Sequence, residues 1–185
     1  STAVRFAIAD ALTLSSDTVK IAGYCADVVT DNGTNQLALI TRTLTLAGGY
    51  TSTNWVNSFP ITQPTTLDAL GKGRVLYATA ALTVSNLTVQ NGAFSGATSD
   101  CPFSGCGGGI YADNVVALNN VNVLTNTAEH GGGVYGDMTV TVIGGRFANN
   151  TASVNGGGLR AISDATVAGA TFTSNTAFQG GGALF

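Results

Sequence analysis

Residues 131–155 read GGGVYGDMTVTVIGGRFANNTASVN, and the copies of this stretch on either side decide the fold. Glycine triplets begin at Gly107, Gly131, Gly156 and Gly180, spaced 24, 25 and 24 residues apart. A second mark runs in phase with the first. Val123, Phe147 and Phe172 are each followed three residues later by Asn126, Asn150 and Asn175, and each of these asparagines opens an Asn-Thr-Ala tripeptide. Counting back from Val89, Val123, Phe147 and Phe172, the position seven earlier holds Leu82, Val116, Val140 and Ala165. The position five earlier holds Val84, Leu118, Val142 and Val167. Between these columns stand Thr83, Ala117, Thr141 and Thr166. Apolar residues two apart around a small or hydroxylic one have the period of a strand.

A unit this short has no interior of its own, so copies must stack to bury their apolar faces. About 24 residues per turn in several short strands suits a parallel β-helix better than a propeller blade, which takes about 40. Glycine triplets then mark a corner that needs positive φ or leaves no room for a side chain. Asn126, Asn150 and Asn175 are expected to form a hydrogen-bonded ladder, and Val123, Phe147 and Phe172 an interior column. The pattern continues upstream in degraded form through residues 42–50 and 19–24. Two insertions, residues 51–64 with Trp55 and residues 95–106, are expected to project from a corner, where solenoids place recognition. Val4, Ile8, Ala11 and Leu12 share one helical face. The expected organisation is a capping helix over residues 1–14 and a β-helix over 15–185. The chain stops at Gly180–Phe185, at the opening of a fresh coil: either it is truncated there or its last coil pairs with something else, and an edge open at a true terminus is expected to accept another copy and stack head to tail.

Composition bounds the function. Of 185 residues 9% are charged and 44% hydrophobic, a balance that excludes disorder. Seven basic residues against ten acidic give a net charge of −3, which argues against nucleic-acid binding. No apolar run approaches the roughly 18 residues of a membrane-spanning helix. Cys101 and Cys106 bracket a short loop that a disulfide closes, and this implies an extracellular or cell-surface location. Cys25 is left over as a small buried residue.

The paired marks FxxN (Phe147 to Asn150, Phe172 to Asn175) and GGGhY or GGAL (Gly107 to Tyr111, Gly131 to Tyr135, Gly181 to Leu184) resemble polymorphic outer-membrane protein repeats. The front half resembles secreted repeat proteins of filamentous bacteria of the Chloroflexus type. The shared stretches are Val4–Ile8, Thr43–Tyr50 and Thr65–Tyr77. The chain departs from them in lacking a cysteine and an SLRE signature at the cap. The resemblance implies an all-β fold, a right-handed parallel β-helix with a short N-terminal capping helix. It also implies a noncatalytic structural or adhesive role at the cell surface.

The alternative is a polysaccharide-binding or polysaccharide-cleaving β-helix, a lyase or glycoside hydrolase. Lyase chemistry needs clustered carboxylates and a base, and hydrolysis a carboxylate pair. Asp113 and Asp137 align in successive coils, about 4.8 Å apart by strand spacing, and are weak candidates for a metal or catalytic pair. The same column continues with Thr79 and Ile162, so the cluster stops at two. His130, the only histidine, precedes a triplet where other coils have Asn155 and Gln179. Tyr77, Tyr111, Tyr135 and Arg160 form one column, read as an exposed aromatic stack able to bind sugars or proteins. The threonine column, interrupted by Ala117, is too narrow for ice binding. No cofactor is expected. The expected partners are surface glycans or proteins, or further copies of the chain.

Overall fold

The computed structural model describes residues 2–11, 17–31, 33–96, 101 and 103–185. Leu12 of the expected cap and part of the second insertion lie outside them. The fold is all-β with one short helix, α1 (Thr2–Ala11).

Among the described residues, the strands form four sheets, and from residue 82 onward the chain visits them in a fixed order. The first contains β1 (Asp17–Ala22), β5 (Leu44–Tyr50), β8 (Leu82–Ser85), β12 (Val116–Asn119), β16 (Val140–Ile143) and β20 (Ala165–Ala168). The second contains β2 (Tyr24–Ala26), β6 (Thr66–Asp68), β9 (Thr88–Gln90), β13 (Asn122–Leu124), β17 (Arg146–Ala148) and β21 (Thr171–Thr173). The third is shorter: β10 (Ala93–Phe94), β14 (Thr127–His130), β18 (Thr151–Asn155) and β22 (Thr176–Ala177). The fourth contains β3 (Val29–Asp31), β4 (Thr34–Ile40), β7 (Arg74–Ala78), β11 (Ile110–Ala112), β15 (Val134–Gly136) and β19 (Leu159–Ala161). Neighbours pair in parallel except β3 and β4, an antiparallel hairpin that the repeat does not foretell.

Like lies against like. Leu82, Val116, Val140 and Ala165 pair in one register, as do Val84, Leu118, Val142 and Val167. Val89, Val123, Phe147 and Phe172 pair likewise, and the two phenylalanine rings stack at 4.6 Å. Beside them runs the asparagine ladder. The Asn126 amide donates to Asn150 Oδ1 at 3.0 Å, and the Asn150 amide to Asn175 Oδ1 at 2.9 Å. Each amide also donates to a backbone carbonyl of the preceding coil: Val89 for Asn126, Val123 for Asn150 and Phe147 for Asn175. Asn126 and Asn150 are wholly buried, so these bonds satisfy groups that water cannot reach.

The corners carry the left-handed backbone. Asn91, Thr125, Asn149 and Ser174 occupy φ between 53° and 56° in four successive coils. Glycine holds the corner before the fourth sheet, where Gly107, Gly131, Gly156 and Gly181 have positive φ. Within the triplets a Cβ on Gly133 would lie 2.3 Å from the Gly158 carbonyl of the next coil, so glycine there is required by space. At the other end α1 packs on β1 and β4, with Val4 and Ile8 in the main core.

Replacing Asn150 with Ala removes donor and acceptor from the middle of the ladder and leaves buried partners unpaired. A loss of about 2–4 kcal/mol is expected, measured as a lower urea midpoint. Removing exposed Asn122 in the same way is expected to change the midpoint little.

Candidate functional site

The fourth sheet brings Tyr77, Tyr111, Tyr135 and Arg160 into one register. The ring centroids lie 5.2 and 5.6 Å apart. The expectation of an exposed stack is corrected here: the tyrosines are at most 1% exposed and Arg160 is 7% exposed. The cause is the second insertion. Its described residues fold back over the column instead of projecting, and the Cys101–Cys106 disulfide, both halves buried, packs against the tyrosines.

Contacts unforeseen in the sequence fasten that cover. Glu129 accepts from the Ser104 hydroxyl and from the Gly96 N–H (3.3 Å), so one carboxylate ties both limbs of the insertion. Phe103 lies 4.9 Å from the His130 ring, and the Arg160 guanidinium sits over Phe103 at 4.5 Å and Tyr135 at 5.7 Å. Arg74 is wholly buried. It donates to the Cys106 carbonyl at 2.9 Å and lies over Phe94, Tyr111 and Tyr77. A guanidinium among aromatic faces retains favourable electrostatics in a dry setting. Neither Arg74 nor Glu129 sits in a column of identical residues, so the repeat pattern carried no signal for them.

The aspartates and the tyrosine column form one constellation. The Tyr111 hydroxyl donates to Asp137 at 3.2 Å. Burial, followed by the hydrogen bond and charge of Asp113 and then Asp137, pushes the Tyr111 pKa far up. Burial and the Asp137 charge raise that of Tyr135. Both phenols therefore stay protonated, and Asp137 serves as the acceptor for Tyr111. Among the described residues no group of three or more His, Cys, Asp or Glu side chains is placed to hold a metal ion.

His130 is buried beside Arg160, whose guanidinium contacts Nδ1. Burial first, then the Arg160 charge, lowers its pKa, so the imidazole is neutral near pH 7. Cys25 is only partly buried against the core, and burial raises its thiol pKa.

A second polar node went unforeseen. Asp68 is 2% exposed and accepts from the Tyr24 hydroxyl (2.9 Å), the Gln90 amide (2.8 Å), the Asn91 amide (2.9 Å) and the Leu70 N–H (2.8 Å). Burial raises its pKa, but these donors together outweigh burial and hold it below the usual carboxylate range.

Outside the covered column lies an open groove of about 700 Å³, lined by Thr34, Asn35, Lys72, Phe94, Glu129 and Ser153 among others. Lys72 pairs with Asp27 at 3.3 Å in an exposed ion pair. Among the described residues no helix is long and apolar enough to cross a membrane. Comparison with known proteins finds no matching family, curated protein or solved structure.

Protonating the buried His130 is unfavourable, so its stabilising neutral form prevails above the unfolded pKa near 6.5 and is lost as pH falls through the lower folded value. Asn155 occupies the paired position in the next coil. His130→Asn is therefore expected to fold and to flatten the stability profile below pH 6.5. Urea midpoints for both proteins across this range check it.

Proposed function

We propose that the chain is a noncatalytic structural and adhesive element of an extracellular or cell surface, built as a right-handed parallel β-helix. The observation that carries this reading is the commitment of its chemically capable groups to packing. Tyr111 and Tyr135 lie buried beside Asp137, His130 is held against Arg160, and the asparagines bond to their counterparts in the next coil. The rotation of the chain through four stacked sheets supports a helical path, and its hand follows the strong right-handed preference of parallel crossovers. The disulfide supports an oxidising compartment. The resemblance of the repeat marks to those of polymorphic outer-membrane proteins fits the same reading.

Strands β20, β21 and β22 each end their sheet, and on the fourth sheet residues 180–185 pair along the outer edge of β19. Phe172 remains half-buried beside them, and Phe185 is exposed. A second copy seated on these edges extends all four sheets and generates a head-to-tail filament. The open groove supports a second reading, polysaccharide binding: Phe94 offers an apolar surface, while the exposed Asn35 and Ser153 offer hydrogen-bonding groups. Surface glycans are then the partner, with no cofactor.

Two measurements test these readings. Incubation with acidic polysaccharides, with and without calcium, is expected to leave their length unchanged, and progressive shortening contradicts the noncatalytic reading. In electron micrographs the stacking reading expects rods that lengthen with protein concentration, and uniform short particles at every concentration contradict it.

A further inference from the structure

The first insertion, residues 51–64, reads TSTNWVNSFPITQP and contains no charged side chain. Its apolar residues face outward: Ile61 is 93% exposed, Val56 82%, and Trp55 and Phe59 44% each. A water-exposed tip of this composition is costly unless something covers it.

The tip is held in place at its base. Trp55 stacks on Tyr50 with ring centroids 6.1 Å apart. The Ser58 hydroxyl donates to the Gly48 carbonyl at 2.7 Å. Lys20 donates to the Trp55 carbonyl at 2.6 Å and lies over the Tyr50 ring. Much of the loop's backbone is also satisfied within the protein. Thr51 and Asn54 exchange N–H to carbonyl bonds, and Asn54 Oδ1 accepts from the N–H groups of Val56 and Asn57. Phe59 donates to Gly49 and Gln63 donates to Phe59, while Pro60 and Pro64 have no N–H to satisfy.

These features select among possible covers. A backbone that supplies its own hydrogen-bond partners is what a lipid phase demands, because hydrocarbon offers none. The most exposed residues are aliphatic, Trp55 and Phe59 lie less exposed, and a lysine sits at the base. Aliphatic residues favour the acyl boundary, aromatic rings the headgroup level and an ammonium the water side. The groove beside Phe94 is a poor receptor for the tip of a second copy, since Lys72 and Glu129 line it.

We propose that residues 51–64 insert their apolar tip, led by Val56 and Ile61, into the outer layer of a zwitterionic lipid bilayer. The loop anchors the protein on the membrane surface without crossing it. This goes beyond the scaffold reading and stands or falls separately from it.

Trp55 is the only tryptophan of the chain, so its fluorescence reports on the tip directly. With phosphatidylcholine vesicles the full chain is expected to sediment and its emission to shift to the blue. Both are expected to persist in about 0.5 M NaCl, where charge attraction is screened. Val56→Asp and Ile61→Asp are each expected to weaken binding roughly tenfold or more, with an unchanged urea midpoint. The proposal is overturned if neither sedimentation nor a shift occurs, or if salt abolishes binding. It is also overturned if both variants bind normally. A blue shift that grows with protein concentration in the absence of vesicles also overturns it, identifying a second copy as the cover.

Discussion

Stability here depends on contact between successive repeats, whose strands pair in parallel sheets. A single two-dozen-residue repeat exposes apolar side chains on several short strands and has no interior of its own, so its neighbours must cover them. That demand fixes register. If Phe147 slipped by one residue against Phe172, its ring would leave the core and the Asn150 amide would lose Asn175. Hydrophobic contact supplies most of the driving force, whereas the ladder penalises every alternative alignment by leaving buried amides unpaired. A chain with few charges still specifies one arrangement because each column repeats the same condition.

The same stacking accounts for the placement of glycine and of strained backbone. Consecutive coils approach closely at the triplets, where even a methyl group on Gly133 would meet the next backbone. At the corner between the second and third sheets the left-handed conformation falls on Asn91 and Asn149, which tolerate it, but also on Thr125 and Ser174. Thr125 is β-branched and disfavoured there. Its hydroxyl donates to Asn91 of the preceding coil at 2.7 Å, and its N–H donates to Ala148 of the following one. Contact between coils thus offsets a local preference.

Legibility followed repetition. The columns of Val116, Val123 and Phe147, the asparagine ladder and the glycine corners were readable because each position recurs with the same residue type. The pairing of Cys101 with Cys106 was readable from their closeness in the chain. What failed was the exposure of the tyrosine column. Alternation along a strand gives two faces, and outward from the core was equated with exposed. The insertion that covers this face has no repeat, so its packing through Glu129, Phe103 and the disulfide left no periodic trace. Asp68 escaped notice for the same reason: its donors come from residues 24, 70, 90 and 91, which share no column. Nonrepeating residues thus create the cover of the tyrosine column and the Asp68 node, while repeating ones create the frame.

The central claim is that positions far apart in the chain lie on one line, a strand spacing apart. Thr18, Thr45, Thr83, Ala117, Thr141 and Thr166 stand in consecutive register on the first sheet. Spin labels at Thr18 and Thr166 therefore span five steps, and double electron–electron resonance should give a narrow distribution near about 24 Å between backbone positions. A broad distribution, or one centred far beyond that separation, would contradict the stacked arrangement.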